Sequence, residues 1–185
     1  MPRFHSTHRR SLARPALAAC CVALSAVGIL GCSPTPEPEP TPTPAFASEE
    51  EAFAAAEETY RAYNDALNAE RAGTSPSIPS HDFLAGEVLR AEVANETKLR
   101  EDGIRIEGST TVSAIQGLDA DLVSPVGEVL SRVCLDITDA RAIDTTGVDV
   151  TAEGRSDIYA VDVRFAGGPQ SLLITDFEIT ADFEC

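Results

Sequence analysis

From Ser48 onward the chain places apolar side chains at Phe53, Ala56, Tyr60, Tyr63 and Leu67, spacings of three and four that gather them on one stripe of a helix. Ser48 followed by Glu51 forms a capping box, Glu49 and Glu50 suit the positive end of the helix dipole, and Gly73 is a stop signal. A loop through Pro76 and Pro79 leads to a second helical region from His81 to Asp102, broken near Gly86, with a weaker stripe of Leu84, Val88, Ala91 and Leu99. After Gly103 the period changes to two. Ile104, Ile106, Thr110 and Val112 alternate with polar residues in a first strand; Val129, Val133, Leu135 and Ile137 do so in a second, spanning Glu128 to Thr138. Tyr159, Val161, Val163 and Phe165 mark a third strand. Gly167-Gly168-Pro169 then turns the chain into a fourth, through Leu173, Thr175, Phe177, Ile179, Ala181 and Phe183. Helices followed by antiparallel strands predict an α+β domain: N-terminal helices packed on a curved four-stranded sheet.

Upstream of this domain the pattern is different. Arg3, Arg9, Arg10 and Arg14 precede an uncharged run from Pro15 to Gly31, as in the basic and apolar regions of a secretory signal. The run is shorter than the roughly 20 apolar residues that span a bilayer. Leu30-Gly31-Cys32 places a thiol directly after a small residue, as lipid modification before cleavage requires, so residues 1–31 read as a lipoprotein signal peptide and Cys32 as its acylated (palmitate-type) residue. Cys20 and Cys21 fall within the signal. Arg9-Arg10-Ser11-Leu12 resembles a twin-arginine signal, which leaves the export route open. Two acyl chains would anchor the protein stably to a membrane, where one chain binds only marginally. Residues 32–45 form the next segment, in which Pro34, Pro36, Pro38, Pro40, Pro42 and Pro44 favour an extended stalk; twelve such residues reach about 37 Å. The α+β domain occupies residues 46–185. The expected location is the outer face of the cytoplasmic membrane.

The full chain carries 14 basic and 30 acidic side chains. Loss of the four leader arginines would leave a still more acidic protein, which repels phosphate backbones, so no nucleic-acid partner is expected. The membrane partner is reached through the lipid. Asp139, Asp144, Asp149, Glu153 and Asp157 could attract calcium, but their spacing matches no calcium loop and a solvated acidic loop is the simpler reading.

The proline-threonine stalk, the stretch from Phe53 to Asn68 containing Tyr60 and Tyr63, the segment Val133-Cys134-Leu135-Asp136 and the terminal Cys185 together resemble small lipoproteins of high-GC Gram-positive bacteria. That resemblance covers most of the chain from Cys32 to Cys185. It implies a nuclear transport factor 2-like cone with a pocket between helix and sheet. The segment between Gly73 and Gly103 departs from the pattern, being shorter and poor in aromatic residues.

Cys134 and Cys185 are a candidate disulfide in an oxidising compartment. Their parities conflict, Cys134 lying on the polar side of its strand and Cys185 continuing an apolar one, so the bridge requires a bulge or a frayed end. The domain contains a single histidine, His81, and a single lysine, Lys98, and no cofactor-binding or nucleophile motif. No metal site, cofactor or catalytic residue is assigned. Strand parity turns Glu107, Asp136, Asp162, Asp176, Glu178 and Asp182 away from the expected pocket. That leaves Tyr60, Tyr63, Tyr159, Ser131, Thr175 and His81 as its polar lining. The reading is a non-catalytic binding or interaction domain for a small apolar ligand or an envelope protein. The alternative is a small isomerase-like or hydrolase-like enzyme of the ketosteroid isomerase or SnoaL-like type, with His81 and the tyrosines at work. Leu130, Leu172 and Ile174, on the otherwise polar parity, suggest a patch for a homodimer through the sheet.

Overall fold

The computed structural model describes residues 43–180 and Cys185. The expected signal segment, Cys32, the stalk up to Thr41 and Pro42, and Ala181, Asp182 and Phe183 lie outside the described residues. Two helices, α1 (Glu49–Arg71) and α2 (Gly86–Glu101), precede six strands: β1 (Arg105–Glu107), β2 (Thr111–Asp121), β3 (Gly127–Asp136), β4 (Arg141–Ile143), β5 (Ile158–Gly167) and β6 (Leu173–Thr180). The main sheet has the order β2-β3-β5-β6 and is antiparallel throughout; β1 and β4 pair separately. The architecture is α+β, as the hydrophobic pattern predicts.

Helix α1 begins as its sequence dictates. Ser48 Oγ accepts the Glu51 N–H at 3.2 Å, and the Glu51 carboxylate accepts the Ala47 N–H at 2.7 Å. Ala52, Ala56, Tyr60 and Tyr63 are buried, with Phe53 and Leu67 packed at the margin of the core. Phe53 lies so near the sheet that a Cβ on Gly117 of β2 would fall 2.3 Å from its ring. Phe46, the first residue of the expected domain, is fully buried in the same core.

Strands β3 and β5 alternate as expected: Val129, Ser131, Val133 and Leu135 face inward opposite Phe165, Val163, Val161 and Tyr159. The expected first strand is corrected, because the chain breaks at Gly108, whose φ of 81° favours glycine and whose Cβ would sit 2.0 Å from the Asp139 carbonyl oxygen. Its first half becomes β1, paired with β4; its second half starts β2, which runs nine residues further than the pattern indicates. Two register shifts, between Val112 and Ala114 and between Gly117 and Asp119, break the alternation that would have revealed the rest of β2.

A third irregularity redirects β6. Arg164 pairs with Asp176 but Phe165 with Ile174, so Thr175 is an extra residue and parity reverses across it. Leu172 and Ile174 therefore enter the core, at 5% and 0% exposure, instead of forming an outer patch. Ile174 also forms a parallel bridge to Leu84, and its carbonyl accepts the Ala85 N–H at 2.9 Å, which docks the start of α2 on the sheet. In the α2 stripe, Leu84 and Val88 are buried, whereas Ala91 is exposed.

Cys134 and Cys185 form a disulfide, with Cα atoms 5.6 Å apart. Cys134 lies opposite Ala160, and both are buried although they belong to the outer parity of the sheet. In the chain-entropy model, closing a loop of this length stabilises the fold by about 4 kcal/mol. Beside it on the outer face, Arg132 donates two hydrogen bonds to Asp162, at 2.6 and 2.7 Å.

Candidate ligand groove

Between the two helices and the inner face of the sheet lies an open groove of about 620 Å³. Each wall follows from a periodicity. Tyr60, Tyr63, Asn64, Leu67 and Arg71 recur along one face of α1; Glu92, Asn95 and Leu99 do so along α2; Leu135, Tyr159, Val161, Phe177 and Ile179 come from the sheet. Ile106, Ile137 and Ala140 close one end. A neighbouring recess of about 530 Å³ shares Leu67, Arg71, Glu92, Asn95, Leu99 and Ile106 and opens toward Glu70, Glu96, Arg100, Arg105 and Glu107.

The aromatic wall is tightly assembled. Tyr60 and Tyr63 meet edge to face at 5.8 Å between ring centroids, and Phe177 lies 6.4 and 6.0 Å from them. Burial above all pushes the Tyr60 and Tyr63 hydroxyls far above the usual tyrosine range, and at Tyr63 the Glu92 carboxylate adds to the rise while Arg71 partly offsets it, so both stay neutral.

The base of the groove is held by polar contacts to Thr110. Asn64 and Asn68 donate from Nδ2 to its carbonyl at 3.0 and 2.9 Å, and Asn68 Oδ1 accepts its N–H at 2.9 Å. Arg71 Nη1 donates to its Oγ1 at 2.9 Å. Glu70 accepts both the N–H and the hydroxyl of Ser80, at 2.9 and 2.5 Å, and so fixes the single turn of 3-10 helix that leads into α2.

Glu92 is the carboxylate at the junction of groove and recess. It is half-buried and has no hydrogen-bond or ion-pair partner among the described residues, whereas Glu96, one turn along, pairs with His81 Nε2 at 3.1 Å. Burial raises the Glu92 carboxyl above its usual range and Glu96 adds to the rise; Arg71 and His81 partly offset it.

The residues expected to line a pocket separate into three groups. Tyr60, Tyr63 and Tyr159 line the groove. Ser131 is fully buried in the core beside it, its Oγ without a hydrogen-bond partner among the described residues. Thr175 and His81 are corrections. The bulge carries Thr175 to a separate recess with Asp119, Glu128 and Arg164, where its hydroxyl donates to the Arg164 carbonyl at 3.3 Å. His81 is engaged with Glu96 and does not line the groove.

Glu92, Asn95, Asn64 and Arg71 were not legible by strand parity because none is on a strand. A signal was nevertheless available: Val88, Glu92, Asn95 and Leu99 share one helical face, at spacings of four, three and four. The described strand carboxylates stand off the groove's inner lining, with Asp162 committed to Arg132 and Glu107 to Arg105. In the acidic loop, Asp144 accepts from the Thr146 and Val148 N–H groups, Asp149 accepts from Thr151, and Asp157 pairs with Arg155. Among the described residues no group of three or more His, Cys, Asp or Glu side chains is placed to hold a metal ion.

No family model matches this chain, and no curated protein matches it in sequence. Among solved structures it is similar to the intermembrane space region of the chloroplast protein ARC6, at 12% sequence identity and a TM-score of 0.48, over 70% of this chain and 97% of that one.

Proposed function

We propose that this chain is a lipid-anchored extracytoplasmic protein whose domain, a nuclear transport factor 2-like cone, binds a small and largely apolar ligand. The observation that carries the binding reading is the groove itself: an aromatic and aliphatic concavity with a few convergent polar groups, the usual composition of a small-molecule site. The anchor reading rests on Leu30-Gly31-Cys32 and the proline-threonine segment after it. The small lipoproteins of high-GC Gram-positive bacteria that this chain resembles support both. Replacement of Cys32 by Ala should release the protein from the membrane fraction, and its retention there would end the anchor reading. For the groove, N-phenylnaphthylamine fluorescence should rise on binding and be lost in Ile179→Arg, which crowds the groove from an exposed position. A signal equal in both chains removes the groove as the binding site.

A second reading, a small isomerase-like or hydrolase-like enzyme, is favoured by one observation. Glu92 is a partly desolvated carboxylate at an apolar groove, which suits a general base, and it takes the role that His81 cannot fill while held by Glu96. In this reading, turnover of ketone or ester substrates is abolished in Glu92→Gln and retained in His81→Ala. An envelope-protein partner and a homodimer through the sheet are further proposals; with Leu172 and Ile174 in the core, the dimer patch is reduced to Leu130. A protein that sediments as a monomer at every concentration ends it.

A further inference from the structure

Among the described residues, the carboxylates that line the groove and its neighbouring recess all have partners, with one exception. Glu96 is paired with His81, Glu70 accepts from Ser80, Glu107 is paired with Arg105, and Arg71 donates to Thr110. Glu92 alone among these groove carboxylates is left without a hydrogen-bond or ion-pair partner among the described residues, at the margin of an apolar surface. A carboxylate withdrawn from water without a partner is costly, and a cation is the ligand that relieves the cost. The chain's formal charge of −16 favours the approach of a cation over that of an anion. Tyr159 and Phe177 bring aromatic surface to the same groove, which suits an ammonium group. Ile179, 71% exposed on its wall, offers apolar surface for a hydrocarbon body.

We infer that the groove takes a small organic cation with an apolar body, its ammonium nitrogen set against the Glu92 carboxylate and its hydrocarbon covering Ile179 and Leu99. This rests on the groove being the binding site and adds the charge and the anchoring residue. The groups that face Glu92 are Tyr63 and Arg71 on α1, His81 on the 3-10 turn, and Glu96 on α2; Glu70 lies beside Tyr63. Protonation of Glu92 at low pH therefore weakens cation binding, and repeating the profile in His81→Gln separates this effect from titration of the histidine.

The experiment is calorimetric titration of the full chain carrying Cys32→Ser with three probes of one chain length: hexyltrimethylammonium, hexanol and hexanoate. The expected result is that hexyltrimethylammonium binds about tenfold more tightly than hexanol near neutral pH, that Glu92→Gln removes this advantage, and that Glu58→Gln, an exposed site elsewhere on α1, leaves it intact. Circular dichroism of Glu92→Gln verifies its fold. If hexanol binds as tightly as the cation, or the advantage persists in Glu92→Gln, the cation inference is overturned and the groove reading stands. Preference for hexanoate also overturns it, with Arg71 as the anchor instead. If no probe binds, both fall.

Discussion

The two helices that wall the groove are built on opposite terms. Helix α1 is held from end to end: it is capped by Ser48, five of its apolar side chains are buried, Phe53 is seated against a glycine of β2, and Asn64, Asn68 and Arg71 converge on Thr110. Helix α2 starts at Gly86 after Ala85, without a side-chain cap, and buries only Val88 along its length. Its docking depends on Leu84 and Ala85 just ahead of it, against Ile174. Yet α2 supplies Glu92, the half-buried carboxylate that lines the groove. A helix that contributes little to the core can place a partly desolvated charge where a tightly packed helix would not tolerate it, since stability and a functional charge compete for the same positions.

The contrast can be broken most severely at Gly117. A valine there would collide with the Phe53 ring and force α1 off the sheet, so Gly117→Val should fail to give a cooperatively folded protein, read as loss of the thermal unfolding transition. Tyr60→Ala, at 4% exposure, should cost about 3–5 kcal/mol in chemical denaturation, the range for a large aromatic removed from a core. On the other helix, Val88→Ala should cost only about 1–2 kcal/mol, because little besides that one side chain is buried. A loss at Val88 equal to that at Tyr60 would mean that both helices belong equally to the core.

Glu92→Gln should have the smallest effect, and in the opposite direction. The folded state raises the Glu92 carboxyl above its unfolded value, so the folded protein binds more protons between the two. Its ionisation therefore destabilises the fold as pH rises through that interval, and the full penalty is present above the folded value. Glu92→Gln should lack this decline and be slightly more stable than the parent near neutral pH, but not well below the unfolded carboxylate value. Denaturation midpoints measured at both extremes check this; a variant less stable than the parent at neutral pH would mean that the ionised carboxylate has a stabilising partner. Asp162 has the opposite sign. Its hydrogen bonds from Arg132 lower its carboxyl, so its contribution is present above the unfolded value and lost as pH falls through the folded one.

The pattern along the chain was informative where structure is local. The capping box, the α1 stripe and the alternation of β3 and β5 each depend on residues a few positions apart, and each is found as predicted. Local period loses its force where long-range pairing overrides it. Two register shifts interrupt the alternation of β2 and hide its second half from the pattern, and β1 and β4 are too short to show any. Thr175 leaves the pocket that strand parity predicts for it because a bulge reverses that parity. The site is legible in part: Tyr60, Tyr63 and Tyr159 line the groove, while Glu92 lies on a helix, where strand parity says nothing of its direction.

From residues alone come the α+β class, the capped first helix, the Cys134–Cys185 pairing as a candidate, and the expectation of a lipid anchor at Cys32, because each depends on composition or on short-range spacing. Three things required the assembled molecule: the break at Gly108, the reversal of side-chain direction in β6, and the meeting of Glu92 with an aromatic groove. Each is set by which strand or helix becomes a neighbour, and an alternating pattern is blind to a single inserted residue that turns every later side chain to the other face.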